Sequence, residues 1–330
     1  MANSRRLEAL LLAAAALSVA TCGGQPGSER AADETASLHA AATVAEPATP
    51  GQRMTFLWRA TPPDDPRKIV YLLGSVHVAR PDFYPLDPAI EEAFDASDAL
   101  ALEVDPNGLD PQQLQLAMIQ RALLPNGETL RDRLSADTWA SLVAWLDARG
   151  LPLGSVSNYE PWFAALLINQ VQGKELGLDP AIGVDWHFAE RAGSVKPIEA
   201  LETVEGQIGL FGELGAELQE ILLADALELS GDEGRRELDR LIAAWKAGDD
   251  AAMDDLFHAS FVDEPRAEPL YEALVTRRNE SMADAVDALV DSWNRLFVVV
   301  GAGHLVGDGG VVALLERRGY KAEQIPARGR

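Results

Sequence analysis

Two segments of this chain repeat one local pattern, a run of β-branched, leucine and aromatic residues that ends in Gly-x-x-His. Ile69-Val70-Tyr71-Leu72-Leu73 leads into Gly74-Ser75-Val76-His77, and Leu296-Phe297-Val298-Val299-Val300 leads into Gly301-Ala302-Gly303-His304. Short apolar runs of this kind, closed by glycine, read as buried strands. Each histidine then stands at the C-terminal end of a strand, where open α/β sheets assemble their ligand sites. The other histidines, His39, His187 and His258, lack this setting.

The surrounding pattern extends the sheet. Met54 to Trp58 reads as a strand joined to 69–73 through Pro62-Pro63-Asp64-Asp65-Pro66, so a hairpin opens the fold. Asp87-Pro88 offers an N-cap and a first-turn proline for a helix ending near Ser97, with Ile90 and Phe94 on one face. Leu100, Leu102 and Val104 then alternate with Ala99, Ala101 and Glu103, which places Glu103 near the end of a further strand. With that strand parallel to 69–73, His77 and Glu103 leave the sheet at one edge. From about Asp110 to Trp293 the pattern is mostly helical, interrupted by one strand around Val195 to Ala200. After 296–300, a helix near 310–318 and a short strand near 322–325 follow. The expected fold is therefore α/β, with a central mixed sheet formed by the N- and C-terminal parts and a large helical insertion between them.

Residues 1–21 read as a signal peptide, with Arg5 and Arg6 ahead of an apolar stretch from Leu10 to Val19. That stretch is too short for a stable membrane span. Cys22 is the single cysteine, which excludes an intramolecular disulfide, a multi-cysteine zinc site and, if it is lipidated, a thiol nucleophile. Leu17 to Cys22 resembles a bacterial lipobox, with Thr21 departing from the small residues usual before the cysteine. This resemblance implies lipidation of Cys22 and a periplasm-facing lipoprotein of the cell envelope, and Gly23 implies the outer membrane. Residues 22–50, rich in Ala, Gly, Ser, Thr, Glu and Pro, read as a disordered tether, and 51–330 as the folded domain. The formal net charge of -24 argues against a nucleic-acid partner. Membrane contact is expected only through the lipid anchor.

Candidate chemistry centres on His77, Glu103 and His304, because two imidazoles and a carboxylate suit a divalent metal such as zinc. Gly74 and Gly301 allow sharp turns and a close backbone approach to a bound cofactor. The bland alternative is two histidines bonded to turn backbone and a solvated Glu103. Arg278 and Asn279 interrupt an apolar helical stripe of Leu274, Val275, Met282, Val286 and Leu289, so they face inward. A buried guanidinium requires a carboxylate or a substrate oxyanion. Glu202, after the mid-chain strand and close to Glu199 and Gln207, is a partner for Arg278 or an acid/base group. Asp185 reads as the N-cap of the helix that contains His187 and ranks below Glu103. The chain carries no Gly-x-Ser-x-Gly, His-Glu-x-x-His or P-loop motif. Hydrolysis by this chain would need metal-activated water or a carboxylate base.

The order of these elements, with Tyr84-Pro85-Leu86 after the first Gly-x-x-His, Leu201-Glu202-Thr203 with Gln207, and Arg278-Asn279-x-x-Met282, resembles the TraB/GumN family, related to the Tiki proteases. The resemblance spans residues 54–327. It implies a metal-dependent peptidase in which His77, His304 and Glu103 form the site, with manganese or cobalt as the metal. Related folds resemble erythromycin esterases and ChaN-like haem-binding lipoproteins. Two alternatives therefore stay open: a non-catalytic envelope lipoprotein that binds a small ligand such as haem, and a metal-independent small-molecule esterase. The expected partner is a peptide or small-molecule substrate.

Overall fold

The computed structural model describes residues 53–108, 110–228, 231–262 and 265–329. The expected leader, tether, Cys22 and His39 lie outside the described residues.

The hairpin forms as its sequence predicts. β1 (Met54–Thr61) pairs antiparallel with β2 (Ile69–Ser75). Asp87 caps α1 (Pro88–Asp95), its carboxylate accepting from the Ala89 N–H, and Ile90 and Phe94 are buried. β3 (Ala99–Leu102) follows, with every residue buried. The insertion holds α2 (Pro111–Ala122), α3 (Ala136–Ala148), α4 (Pro161–Glu175) and α5 (Val184–Ala192) before β4 (Ile198–Ala200). It continues through α6 (Val204–Glu213), α7 (Ala216–Glu228), α8 (Gly231–Ala247), α9 (Asp250–Val262) and α10 (Glu268–Tyr271). A wide π-turn at Glu272–Thr276 then leads without a break into α11 (Arg277–Val290). β5 (Arg295–Gly301), α12 (Val311–Arg317) and β6 (Lys321–Pro326) close the chain.

The six strands make one mixed sheet in the order β4-β3-β5-β2-β1-β6, the α/β architecture expected. β5 runs parallel to both β2 and β3, and β3 runs parallel to β4, so four adjacent strands end at one edge. Ser75 lies opposite Gly301 in the β2–β5 register, which brings the two Gly-x-x-His motifs side by side. Two strands are shorter than the sequence suggests. β3 stops at Leu102, just before Glu103, and β4 begins only at Ile198. Val195 and Lys196 are drawn into a turn instead, their N–H groups donating to the Ala192 carbonyl, and Val195 is 78% exposed.

Two apolar cores result. One lies on the sheet, where Phe297 of β5 meets Phe94 of α1 and Phe188 of α5 at ring centroids 5.5 and 5.0 Å away. The other lies inside the insertion around Trp162, Phe163 and Phe211. Burying one such aromatic side chain stabilises by about 2–3 kcal/mol, so α1 and α5 are firmly attached to the sheet.

Candidate functional site

Three adjacent strand ends deliver the central side chains: His77 two residues past β2, Glu103 one residue past β3, and His304 in the 3-10 turn after β5. All three are buried. The two motif glycines differ in what they permit. A Cβ on Gly74 would lie 2.4 Å from the Phe56 ring and 3.1 Å from the Ala302 backbone, and its carbonyl accepts from Trp245 Nε1. Gly74 is therefore closely packed against Phe56 and the Ala302 backbone. A Cβ on Gly301 would lie 3.1 Å from His77 Nε2, 3.4 Å from Glu103 Oε1 and 3.4 Å from His304 Cδ2. The bare Cα of Gly301 thus lets these three side chains close on a narrow gap that a methyl group would overfill, His304 through its ring carbon Cδ2.

A buried charge network lies beneath that gap. Arg278 donates through NH2 to Glu103 Oε2 at 2.7 Å and to Glu202 Oε2 at 2.6 Å, and through Nε to Glu202 Oε1 at 2.9 Å. Gln207 Nε2 bridges the same carboxylates at 3.2 and 3.0 Å, and the Gly301 N–H donates to Glu103 Oε1 at 2.7 Å. Burial alone would push the Glu103 carboxyl up, but Arg278, the two histidines and the Gly301 N–H more than offset it. Glu103 is held well below the usual carboxylate range and stays ionised. Burial opposes the Arg278 charge as well, and Glu103 and Glu202 more than compensate. The inward-facing Arg278 expected from the helical stripe thus finds two carboxylates.

The imidazoles are oriented by different partners. Asn279 donates its amide to the Gly309 carbonyl, so Oδ1 is left to accept, and His304 Nδ1 lies 2.6 Å from it. That assigns the proton to Nδ1 and a bare lone pair to Nε2. Burial, followed by the Arg278 charge, lowers the His304 pKa to about 3, which keeps the ring neutral. His77 presents Nε2 to Glu103 Oε1 at 3.7 Å and Nδ1 to Asp185 Oδ2 at 3.4 Å. Burial pulls the His77 pKa down, but the Asp185 charge and then that of Glu103 turn the net shift upward. The Nδ1 contact is too poorly aligned to count as a hydrogen bond, so charge attraction is its main content.

Asp185 departs from its expected role. Gly183 occupies the N-cap of α5 and Asp185 lies inside the first turn, its Oδ1 accepting from Ser75 Oγ at 3.1 Å. His187 pairs instead with Glu91 at 3.3 Å and packs against Tyr84 with the rings tilted by 42°. Glu199 also lies apart, accepting from Trp293 Nε1.

The donor chemistry fits a divalent metal. Asn279 hydrogen-bonds Nδ1 of His304, as orienting partners of metal-ligating histidines do, Asp185 faces Nδ1 of His77 through charge alone, and Glu103 is ionised across the Gly301 gap. As placed, no three His, Cys, Asp or Glu side chains among the described residues are gathered into a metal cage. A cavity of about 40 Å³ opens beside the set, lined by His77, Glu103, Val104, Asp185, Trp186 and Gln207 among others. That is room for two or three water-sized groups.

Known proteins place the chain in context. Residues 56–324 match the TraB/PrgY/gumN family model. The chain belongs to the TraB/PrgY/gumN family. Among relatives of this TraB/PrgY/gumN protein, the uncharacterized protein YbaP of Escherichia coli is 26% identical over 246 residues, 74% of this chain and 87% of YbaP. Metalloprotease TIKI2 of Danio rerio is 26% identical over 320 residues, 82% of this chain and 61% of that protein. Human metalloprotease TIKI1 is 26% identical over 325 residues, 83% of this chain and 62% of its own length. The chain thus spans about three fifths of these Tiki proteins. No solved structure matches.

In this TraB/PrgY/gumN chain the structure gathers His77, Glu103, His304, Arg278, Asn279, Glu202 and Gly301, and it leaves Gly74 in the packing behind them. Asp185 and Ser75 are the additions. Gly183-Val184-Asp185 is visible as a motif, but its proximity to His77 is a long-range packing result.

Proposed function

We propose that this protein is a divalent-metal-dependent hydrolase, acting as a peptidase, in which His77, His304 and Glu103 hold the metal. The observation that carries the reading is the convergence of His77 Nε2, Glu103 Oε1 and the Cδ2 edge of His304 on Gly301, closer than a side chain at that position would comfortably allow. The names of the Tiki relatives support peptide hydrolysis as the reaction class. A divalent metal supplies Lewis acidity toward a carbonyl oxygen and toward water.

The chain's own residues set the conditions for that chemistry. Arg278 and the Gly301 N–H keep Glu103 ionised, so it can ligate a cation. Asn279 keeps the Nε2 lone pair of His304 free. Leu102, Val104 and Val299 give the cavity apolar walls, which strengthen the polar interactions made inside it. Its volume of about 40 Å³ suits an ion and a small reacting group and lends no support to haem. By its sequence, the protein is a lipoprotein anchored through Cys22 to the outer membrane and facing the periplasm.

Metal analysis of untagged protein, beside a His77→Ala/His304→Ala double variant, tests the proposal. Stoichiometric manganese, cobalt or zinc that disappears in the variant supports it, and equal metal content in both overturns it. One observation favours a second reading. Arg278 already supplies a positive charge 2.7 Å from Glu103, so Glu103 and His77 could serve as an acid/base pair without metal on a small ester. Ester hydrolysis that survives exhaustive chelation selects that reading.

A further inference from the structure

The carboxylate of Asp185 occupies a place fixed by several independent contacts. The Val184 N–H donates to the Val76 carbonyl at 3.0 Å, and Ala79 and Asp179 exchange backbone hydrogen bonds at 3.2 and 2.9 Å. Tyr84 donates its hydroxyl to the Ile182 carbonyl at 3.0 Å. A Cβ on Gly183 would lie 2.3 Å from the His77 carbonyl oxygen, so only glycine allows the two backbones this close. Three residues beyond Asp185, Phe188 is fully buried against Phe94 and Phe297. The start of α5 is therefore fastened to the loop that carries His77, and Ser75, from that same motif, holds Oδ1 of Asp185.

The two nitrogens of an imidazole point to opposite sides of the ring. Nε2 of His77 faces Glu103 and the Gly301 gap, while Nδ1 faces Asp185. Toward His77 the two carboxylates therefore act on different nitrogens, Glu103 on Nε2 and Asp185 on Nδ1. Asn279 stands in the same relation to His304. Both orienting residues come from the helical insertion, whereas both histidines come from the ends of sheet strands.

We propose that Asp185, held by Ser75, is the positioning residue of His77, fixing the ring with its proton on Nδ1 and its Nε2 lone pair toward Glu103 and the metal site. This rests on the reading that His77 Nε2 is a metal ligand, but its first readout does not depend on metal. Ring-nitrogen NMR of the full-length, untagged, 15N-labelled protein, recorded at a pH high enough to leave the ring neutral and with His77 assigned by its loss in His77→Gln, reports which nitrogen carries the proton. Calorimetric titration with Mn2+ alone reports ligand quality.

Wild type should show His77 protonated at Nδ1. Asp185→Ala should shift the proton toward Nε2 and weaken Mn2+ by about 10–100-fold, the usual cost of losing an orienting partner. Asp185→Asn, whose amide oxygen can still accept, should recover part of both signals, and Ser75→Ala should show a smaller loss. If Asp185→Ala fails to fold, the asparagine and Ser75 variants carry the same two readouts. Asp185→Ala that folds and keeps the Nδ1 proton overturns the proposal, as does Ser75→Ala with both readouts at wild-type values. Should wild type bind no Mn2+, the metal reading fails, while the proton assignment still decides the role of Asp185.

Discussion

The guanidinium of Arg278 lies 2.7 Å from the carboxylate of Glu103, and each residue is only 6% exposed. Glu202 lies 2.6 Å from the same nitrogen, so one buried cation serves two carboxylates. Removing one partner from such a set leaves a charge without compensation in a low-dielectric setting.

Arg278→Ala should therefore destabilise the fold by about 3–5 kcal/mol in urea denaturation. Arg278→Lys should lose less, because it keeps the charge but not the fork that reaches both carboxylates. Adding Glu103→Gln to Arg278→Ala should restore part of the stability. An additive pair of losses would show that the two residues are not coupled.

The two motif glycines should respond differently to alanine. Gly74→Ala meets the Phe56 ring and the Ala302 backbone, so it should cost about 1–3 kcal/mol through overpacking. Gly301→Ala places a methyl group 3.1 Å from His77 Nε2, a position from which the ring can yield. It should leave the melting temperature nearly unchanged while lowering Mn2+ affinity by roughly 10-fold or more, as expected when a ligating ring is displaced. Melting curves and calorimetry on both variants test the contrast.

Acid should expose the environment of His304 in chelator-treated protein. Its folded pKa of about 3 lies below the usual value, so as pH falls below about 6.5 the unfolded chain takes up a proton that the folded chain refuses. This contribution lowers stability by about 1.4 kcal/mol per pH unit until the folded value is reached. His77 works in the opposite direction. Its raised value makes a contribution that is fully present below the unfolded pKa and lost as pH rises through the folded one. The depressed Glu103 adds a contribution present above about pH 4 and lost as pH falls toward its folded value. In urea titrations from about pH 4 to 8, His304→Gln should therefore keep more of its stability at the acid end than wild type does. Parallel curves for the two proteins would contradict the assignment.

Asn279→Ala should free the His304 ring and leave the Gly309 carbonyl and His304 Nδ1 without the partner that the side chain supplies. The expected outcome is a loss of Mn2+ affinity of about 10–100-fold. Asn279→Asp should retain affinity better, because its carboxylate still accepts from Nδ1. Calorimetric titration of both variants separates an orienting role from simple packing.

The sequence by itself determined the elements and much of the site's cast. Alternation and β-branched runs marked β1, β2, β3 and β5, Asp87-Pro88 marked the start of α1, and a helical stripe turned Arg278 and Asn279 inward. These features depend on neighbours along the chain, so a single sequence carries them. Only the tertiary structure decided which residues meet. It separated Gly301, facing three polar side chains, from Gly74, pressed on Phe56, although their motifs look alike. It brought Asp185 to His77 and turned His187 away to Glu91. It also gave Arg278 both Glu103 and Glu202. The physical reason is that charge and hydrogen-bond partners are chosen by how the elements pack, through the burial of residues such as Phe188 and Phe297. The local periods of about 2 and 3.6 residues are silent on that choice.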